Sequence, residues 1–518
     1  MSTYLKIRIL LILISKLCIT NSSEILVLFP VMFTSHYNMI SPLVTELATR
    51  GHQITAYTAQ SFGLTQNITE HLVNYTNSRH ICMSVLDVKD FTTLGSGLSL
   101  IMEMQGVNLR GASNFLQTQA FKQLMSDEEC RYDAIITTSQ LVRESLAPLQ
   151  HKFGALAIEL LPHSNSPSPS VLSGIPFNPS YFVDVKLPYT DRMTFMQRLH
   201  NLYNVLITLS ITFMYTLIRM QELSDEHIKY PGWETRPELS SMISNSSLVL
   251  VNSHFSINYP YPLPPNIIDV AGIHIRPSKP LPQNLEDFMS SWAEDGVLLF
   301  SWGSMLRGEK ADSKDVYDSL IRAFSRLKLG IIWKTNLKEC PDDLPDNVFI
   351  SEWLPQQDIL AHKNLRLMVT HGGLSSMIET IHFAVPVVVT PFFFDQGKNA
   401  RKLVDIGMGV MLEADNISTQ SLVWAVQEVA YSNSYRIAAQ KQSAIFRDKP
   451  SHPLQEAVYW IEYLLNYGDV LRPSFTQMPY YKILLLDVWA FIFIFSIIVI
   501  YAIKRSKNLI KINYKLIE

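Results

Sequence analysis

The stretch VTHGGLSSMIET, residues 369–380, carries the end of an apolar strand into His371, Gly372 and Gly373, then into two serines that open a helix. In open α/β sheets, ligands bind beyond the carboxyl ends of the strands. A helix start at that place offers free backbone N–H groups and the positive end of the helix dipole, and both favour an anion. The dipole alone contributes about 0.3–1 kcal/mol, so amide and hydroxyl hydrogen bonds must supply the rest. The glycines let backbone approach a ligand closely, and Ser375 and Ser376 add hydroxyls. The pattern predicts a phosphate cradle. A plain glycine-eased turn with serine caps would use the same residue types, so the neighbouring motifs have to decide between the two.

Outward from this stretch the chain reads as repeated βαβ. SEILVLFP (23–30) has the unbroken apolar character of a parallel strand, and helical spacing follows up to Arg50-Gly51-His52 and a second strand. RYDAIITTS (131–139) and ALAIELL (155–161) read as further strands. A second series starts at GVLLFSWGS (296–304) and continues through GIIWK, NVFISEW, LRLMVTHGG and PVVVTPFFF. Between them lies a proline-rich segment, INYPYPLPPNIIDVAGIHIRPSKPLP (257–282), as expected of a linker. The expected class is α/β, with two Rossmann-like halves facing one cleft.

The chain has 518 residues, 47% apolar and 17% charged, with a net charge of -3. No basic block occurs outside the last fifteen residues, so no nucleic-acid partner is expected. MSTYLKIRILLILISKLCIT resembles a signal peptide. ILLLDVWAFIFIFSIIVIYAI (483–503) is long enough to cross a bilayer core of about 30 Å, and the basic tail KRSKNLIKINYKLIE (504–518) follows it. The positive-inside tendency then places the tail in the cytosol and the body in the lumen. Of five sequons, Asn67 and Asn74 are the expected glycosylation sites. Without Cys18, Cys82, Cys130 and Cys340 allow one bridge at most, with Cys82–Cys130 a candidate. The segment 195–220 is apolar, but Asn201, Asn204 and Ser210 favour a buried or membrane-apposed helix over a second span. Phe91, Met102, Met104, Phe115 and Phe121 are expected in packing or along an apolar pocket.

Residues 349–399, FISEWLPQQDILAHKNLRLMVTHGGLSSMIETIHFAVPVVVTPFFFDQGKN, closely resemble the signature of the UDP-glycosyltransferase family. That family includes the glucuronosyltransferases of the endoplasmic reticulum and their insect relatives. The resemblance covers nearly the whole chain and implies a GT-B fold. It implies a signal peptide (1–22), an acceptor-binding domain (23–265), a linker (266–285) and a UDP-sugar-binding domain (286–450). A C-terminal helix and membrane approach (451–482), a transmembrane helix (483–503) and a cytosolic tail (504–518) follow. By position, Trp353 is expected to stack on uracil, and Gln356 and Glu379 to lie near the ribose hydroxyls. His371, Gly372, Gly373, Ser375, Ser376 and Ser304 are expected around the diphosphate, and Asp395 and Gln396 on the donor sugar. Ser375 stands where the family often has asparagine. No G-x-G-x-x-G, Walker A or Asp-x-Asp pattern occurs, so neither a cofactor nor a metal is expected, and the UDP-sugar serves as co-substrate. UDP-glucose and UDP-glucuronate both remain open as donors, as does homo-oligomerisation. The implied acceptors are small lipophilic hydroxyl compounds, and the implied location is the endoplasmic reticulum membrane.

The resemblance also implies an inverting transfer with a histidine as base, in the loop after the first strand. His36 in PVMFTSHYNM occupies that place. The family usually orients this histidine with an aspartate in a pattern like FDVILAD. Here YDAIITT (132–138) puts Asp133 at the first aspartate and Thr138 at the partner position. Threonine can accept from an imidazole N–H but cannot stabilise an imidazolium as a carboxylate does. Three outcomes stay open: His36 acting alone, Glu144 substituting, or a UDP-sugar-binding membrane protein impaired in catalysis.

Overall fold

The computed structural model describes residues 22–30, 33–63, 66–73, 98–139, 142–164, 166–303, 314–335 and 344–515. Residues 1–21 of the expected signal peptide (1–22), with Ser304, Asn74, Cys82, Cys340 and Phe91, lie outside the described residues. The chain divides into two compact units, Met1–Arg472 and Pro473–Glu518.

The larger unit holds two all-parallel sheets. The first contains β1 (Glu24–Phe29), β2 (Gln53–Thr58), β3 (Ile68–Leu72), β4 (Ala134–Thr138), β5 (Leu156–Leu161), β6 (Leu248–Val251) and β7 (Ile267–Asp269), in the order β3-β2-β1-β4-β5-β6-β7. The second contains β8 (Val297–Ser301), β9 (Gly330–Lys334), β10 (Val348–Ser351), β11 (Leu365–Thr370), β12 (Val387–Val389) and β13 (Gly409–Met411), in the order β10-β9-β8-β11-β12-β13. In β1, β4 and β8 the side chains on both faces are buried, apart from Glu24. That is why those sequences read as unbroken apolar runs. The first sheet takes in Ile267–Asp269, three residues assigned to the linker from the sequence.

Helices cover the faces. α1 (Thr34–Thr49) buries Met39, Ile40, Leu43, Val44 and Leu47 at helical spacing against β1. It ends before Gly51, whose φ of 99° no β-carbon-bearing residue adopts cheaply. α2 (Leu98–Leu116) follows, and then α3, continuous from Phe195 to His227 with a π-helical turn at Thr212–Thr216. In the second half α4 (Gln356–Leu360), α5 (Leu374–His382) and α6 (Gln396–Asp405) surround the carboxyl ends of the strands. α7 (Pro453–Tyr467) returns to the first half. Its Ala457, Val458, Ile461 and Leu464 join the core cluster of Ile25 and Leu43, and Glu462 pairs with Arg50 at 2.9 Å. This helix, expected from the sequence as part of the C-terminal helix and membrane approach, therefore packs on the first half.

In the smaller unit, α8 (Leu486–Lys515) contains a run, Leu486–Lys507, long and apolar enough to cross a membrane, and its apolar side chains are exposed. Phe115 and Phe121 are core residues, whereas Met104 lines a cavity and Met102 is exposed. The thiol of Cys130 is free.

Candidate active site

The cleft is built at the carboxyl edges of both sheets. After β11 the chain turns through His371 and Gly372, and Gly373 is the N-cap of α5 without a side-chain cap. The glycines have a concrete reason. A β-carbon on Gly373 would lie 2.5 Å from His371 Nε2, and one on Gly303 would lie 2.7 Å from its Cε1. The imidazole occupies the space that side chains would fill on both sides. Gly372 has φ +82°, and a β-carbon there would meet Val389 at 2.8 Å. His371 Nδ1 is buried without a hydrogen-bond partner among the described residues. Burial, with Lys334 nearby, pushes this histidine down to about 4, so it is neutral at pH 7.

Gln356 and Glu379, expected together, do meet. Gln356 Nε2 donates to Glu379 Oε2 at 2.5 Å and to Ser376 Oγ at 3.3 Å. Gln357 donates to Glu379 Oε1 at 3.1 Å, and His274 Nε2 lies 3.6 Å from the same oxygen. Trp353 projects into solvent, 65% exposed, with Lys334 Nζ 4.6 Å from its ring centroid. An exposed indole with a cation over one face still has its other face for a flat base. Ser375 is half-buried at the start of α5.

Asp395 precedes α6. Its carboxylate accepts from Asn399 Nδ2 at 2.7 Å and from the Leu374 N–H at the head of α5. Burial raises it to about 6. Asn399 also donates to the Gly372 carbonyl at 2.9 Å, so the Asp395 loop and the His371 turn are tied together. Gln396 is turned inward, its side-chain carbonyl accepting from the Phe392 and Phe393 N–H groups. Phe394 has φ +55°, a strained conformation for a bulky residue that is typically tolerated where function needs it.

His36 lies in the first turn of α1 rather than in a loop. Its Nδ1 is 3.2 Å from Ser35 Oγ and its ring is 5.3 Å from Phe33. Burial holds it down to about 4. Thr138 is fully buried and donates to the Leu160 carbonyl at 3.3 Å, with no hydrogen bond to His36 among the described residues. Glu144 is buried and borders a cavity with Lys186, Thr212 and Phe394. Asn67 Nδ2, the atom a glycan would take, donates to the Ala48 carbonyl at 2.9 Å.

Several residues of the cleft escaped the sequence reading. His163, after β5, is pushed down to about 3 by burial and then by the charges of His36, Lys398 and Lys186. Its ring stands 5.0 Å from that of Phe394. Lys398 is buried, donates to Asn258 Oδ1 at 2.9 Å across the halves, and is lowered to about 7 by burial despite Asp395. His163, Asn258, Asp395 and Lys398 line one small cavity between the halves. Position beyond a strand end was the available signal for His163 and Lys334. Nothing in the sequence pairs Asn258 with Lys398.

Two Rossmann-like sheets facing a cleft, with a C-terminal helix returning to the first, define a GT-B glycosyltransferase. The calicheamicin glycosyltransferase CalG4 shares the fold at TM-score 0.56 and 18% identity, over 86% of this chain and 99% of that one. The family model described as UDP-glucoronosyl and UDP-glucosyl transferase matches residues 24–517, and the chain belongs to that family. UDP-glucosyltransferase 2 of Dactylopius coccus is 30% identical over 92% of this chain and 90% of its own. Human UDP-glucuronosyltransferase 3A1 is 29% identical over 94% and 93%. The protein is thus a hexosyltransferase of the UDP-glycosyltransferase type.

Proposed function

We propose that the protein transfers a hexose, glucose or glucuronate, from a UDP-sugar to hydroxyl groups of small lipophilic acceptors, with inversion and without a metal. One observation carries the reading. His36, at the start of the helix that follows β1, and His163, just after β5, both stand beyond carboxyl ends of first-sheet strands, and His163 shares a cavity with Asp395 and Lys398 of the second half. His36 takes the acceptor proton, using the nitrogen that does not face Ser35. The acceptor oxygen bonds to the anomeric carbon as the bond from that carbon to the diphosphate oxygen breaks. The unpaired His371 Nδ1, the Ser375 and Ser376 hydroxyls and the head of α5 receive the departing charge. Trp353 holds the uracil, Gln356 and Glu379 the ribose, and Asp395 the sugar. The run Leu486–Lys507 anchors the chain in the endoplasmic reticulum membrane, with the body lumenal.

The test is UDP release by the full chain in membranes, with UDP-glucose and UDP-glucuronate and a phenol and steroid panel. Transfer is expected with at least one donor. His36→Ala is expected to lower it about 10²–10⁴-fold while donor binding persists. Transfer unaffected by His36→Ala would overturn the assignment of the base.

A second reading is a UDP-sugar and lipophile-binding membrane protein impaired in catalysis. Thr138 favours it, because an uncharged hydroxyl donating to Leu160 offers no stabilisation to an imidazolium. Donor binding without UDP release across the whole panel would select this reading.

A further inference from the structure

Glu379 is buried on α5, only 5% exposed. A carboxylate taken out of water has to be met by hydrogen-bond donors. To receive two neighbouring hydroxyls of a ligand it also has to be held in one orientation. Among the described residues no Lys or Arg forms an ion pair with it, and the Arg276 guanidinium is given to Asp358 instead. Neutral amides do the holding. Gln356 Nε2 reaches one carboxylate oxygen and Gln357 Nε2 the other. Each oxygen so receives one N–H, and of roughly four lone-pair sites the carboxylate keeps about two for a ligand.

Gln357 is itself fixed from outside the second sheet. Its side-chain carbonyl accepts from the Arg276 N–H at 3.1 Å, and its NH2 group gives a second hydrogen to the His274 carbonyl at 3.1 Å. The reverse orientation of the amide would set its NH2 against the Arg276 N–H and its oxygen against two acceptors. Only one orientation therefore satisfies all three neighbours, and it is the one that points a hydrogen at Glu379. His274 and Arg276 belong to GIHIRPSK (272–279), part of the stretch expected from the sequence as a linker. The His274 ring follows its backbone to the same place. Its Nε2 is buried, has no hydrogen-bond partner among the described residues and stands 3.6 Å from Glu379 Oε1, just beyond hydrogen-bond length.

Pinning the linker does not by itself explain this arrangement. Asp358 already takes the Arg276 guanidinium through both oxygens, at 2.8 and 2.6 Å, and the Lys279 N–H at 2.7 Å. The bond from Gln357 to Glu379 is the part that this pin leaves over.

We infer that Gln357, with the His274 ring as a second support, is a positioning residue for the ribose: it holds the Glu379 carboxylate in the one orientation that meets a 2′,3′-diol, and it makes the stretch 272–279 part of the donor site. The inference rests on the reading that Glu379 takes the ribose. It adds a selectivity. With a hydroxyl missing from the sugar, a carboxylate held this firmly cannot turn to another donor and is left with an unmet acceptor in the interior. A carboxylate free to turn would lose less.

The test is titration of the purified full chain, in detergent micelles, with UDP and with 2′-deoxy-UDP. The unmodified chain is expected to bind UDP at least about tenfold more tightly than the deoxy compound. Gln357→Leu is expected to weaken UDP about tenfold and to leave the deoxy compound within about twofold, so that the ratio collapses. His274→Leu spares every backbone bond of the stretch and is expected to lower the ratio severalfold, which decides the matter should Gln357→Leu fail to fold. Equal losses for the two nucleotides, or a ratio unchanged by the substitutions, would make Gln357 and His274 merely structural and overturn the inference alone. Equal binding of the two nucleotides by the unmodified chain would remove the ribose from Glu379, and the inference would fall together with the reading beneath it.

Discussion

The Thr138 hydroxyl donates to the Leu160 carbonyl at 3.3 Å, so the position that would orient the base is engaged within the sheet instead. His36 is left with the Ser35 hydroxyl on one ring nitrogen and with burial holding it down to about 4. A base so far below the working pH is a weak one. Thr138→Asp would put a carboxylate at the position where the family resemblance expects the partner of His36. The expected outcome is a rise in UDP release of about tenfold or more, within the span of general-base effects, and an upward shift of the acid limb of the pH–rate profile. Initial rates against pH check both. An unchanged rate would show that this position does not limit the chemistry.

The turn after β11 offers a double-mutant cycle. Gly373→Ala puts a methyl 2.5 Å from His371 Nε2, and overpacking of this kind costs about 1–3 kcal/mol. His371→Ala removes the obstacle. The double variant is expected to recover most of the stability lost in Gly373→Ala but not UDP binding, because the ring proposed to meet the diphosphate is gone. Thermal unfolding and UDP titration read the two quantities separately.

Lys398 carries its own pH signature. Burial lowers it to about 7, below an ordinary value of 10.5. Between those values the unfolded chain holds a proton that the folded chain does not, so the wild type gains stability as pH rises through that window. Lys398→Met removes the charged form. The variant is expected to be the more stable protein at pH 6 and to lose that advantage toward pH 10, although Asn258 loses its partner. Thermal unfolding at both values checks the sign. An advantage independent of pH would contradict the burial of the amine.

The histidines govern the acid side. His36, His254, His371 and His382 lie at about 4 and His163 at about 3, in every case with burial as the largest cause. From about pH 6.5 down to 4 the unfolded chain binds protons on these rings that the folded chain refuses. Stability therefore falls as pH drops through that interval. Asp269 and Asp395, raised to about 6, bind protons in the folded state and offset part of the fall. The unfolding temperature is expected to drop between pH 6.5 and 4. A rise there would mean that the carboxyl groups outweigh the rings.

Much of the candidate site was legible in the sequence because its pieces are local. Gln356 and Ser376 sit at helix starts and Glu379 one turn further along α5, and the structure brings Gln356 into hydrogen-bond contact with both of the others. Gly372 and Gly373 are legible as glycines, but their reason is not. They make room for Val389 and for the His371 ring, contacts that a one-dimensional pattern cannot contain. Gln396, expected on the donor sugar, turns its side-chain carbonyl to the N–H groups of its own turn. Lys398 and Asn258, 140 positions apart, meet only because the halves face each other.

Composition and period alone determined the parallel strands, the paired α/β halves and the apolar terminal run, because each depends on burial patterns within one short segment. The tertiary structure alone decided that α7 straps the first half, that Thr138 turns to Leu160, and that α3 hides its polar face and presents its apolar one. Those outcomes depend on which surfaces meet after folding. The same alternating chemistry on α3 is compatible with either face inward until Asn201 and Thr212 find their partners in the 166–186 segment.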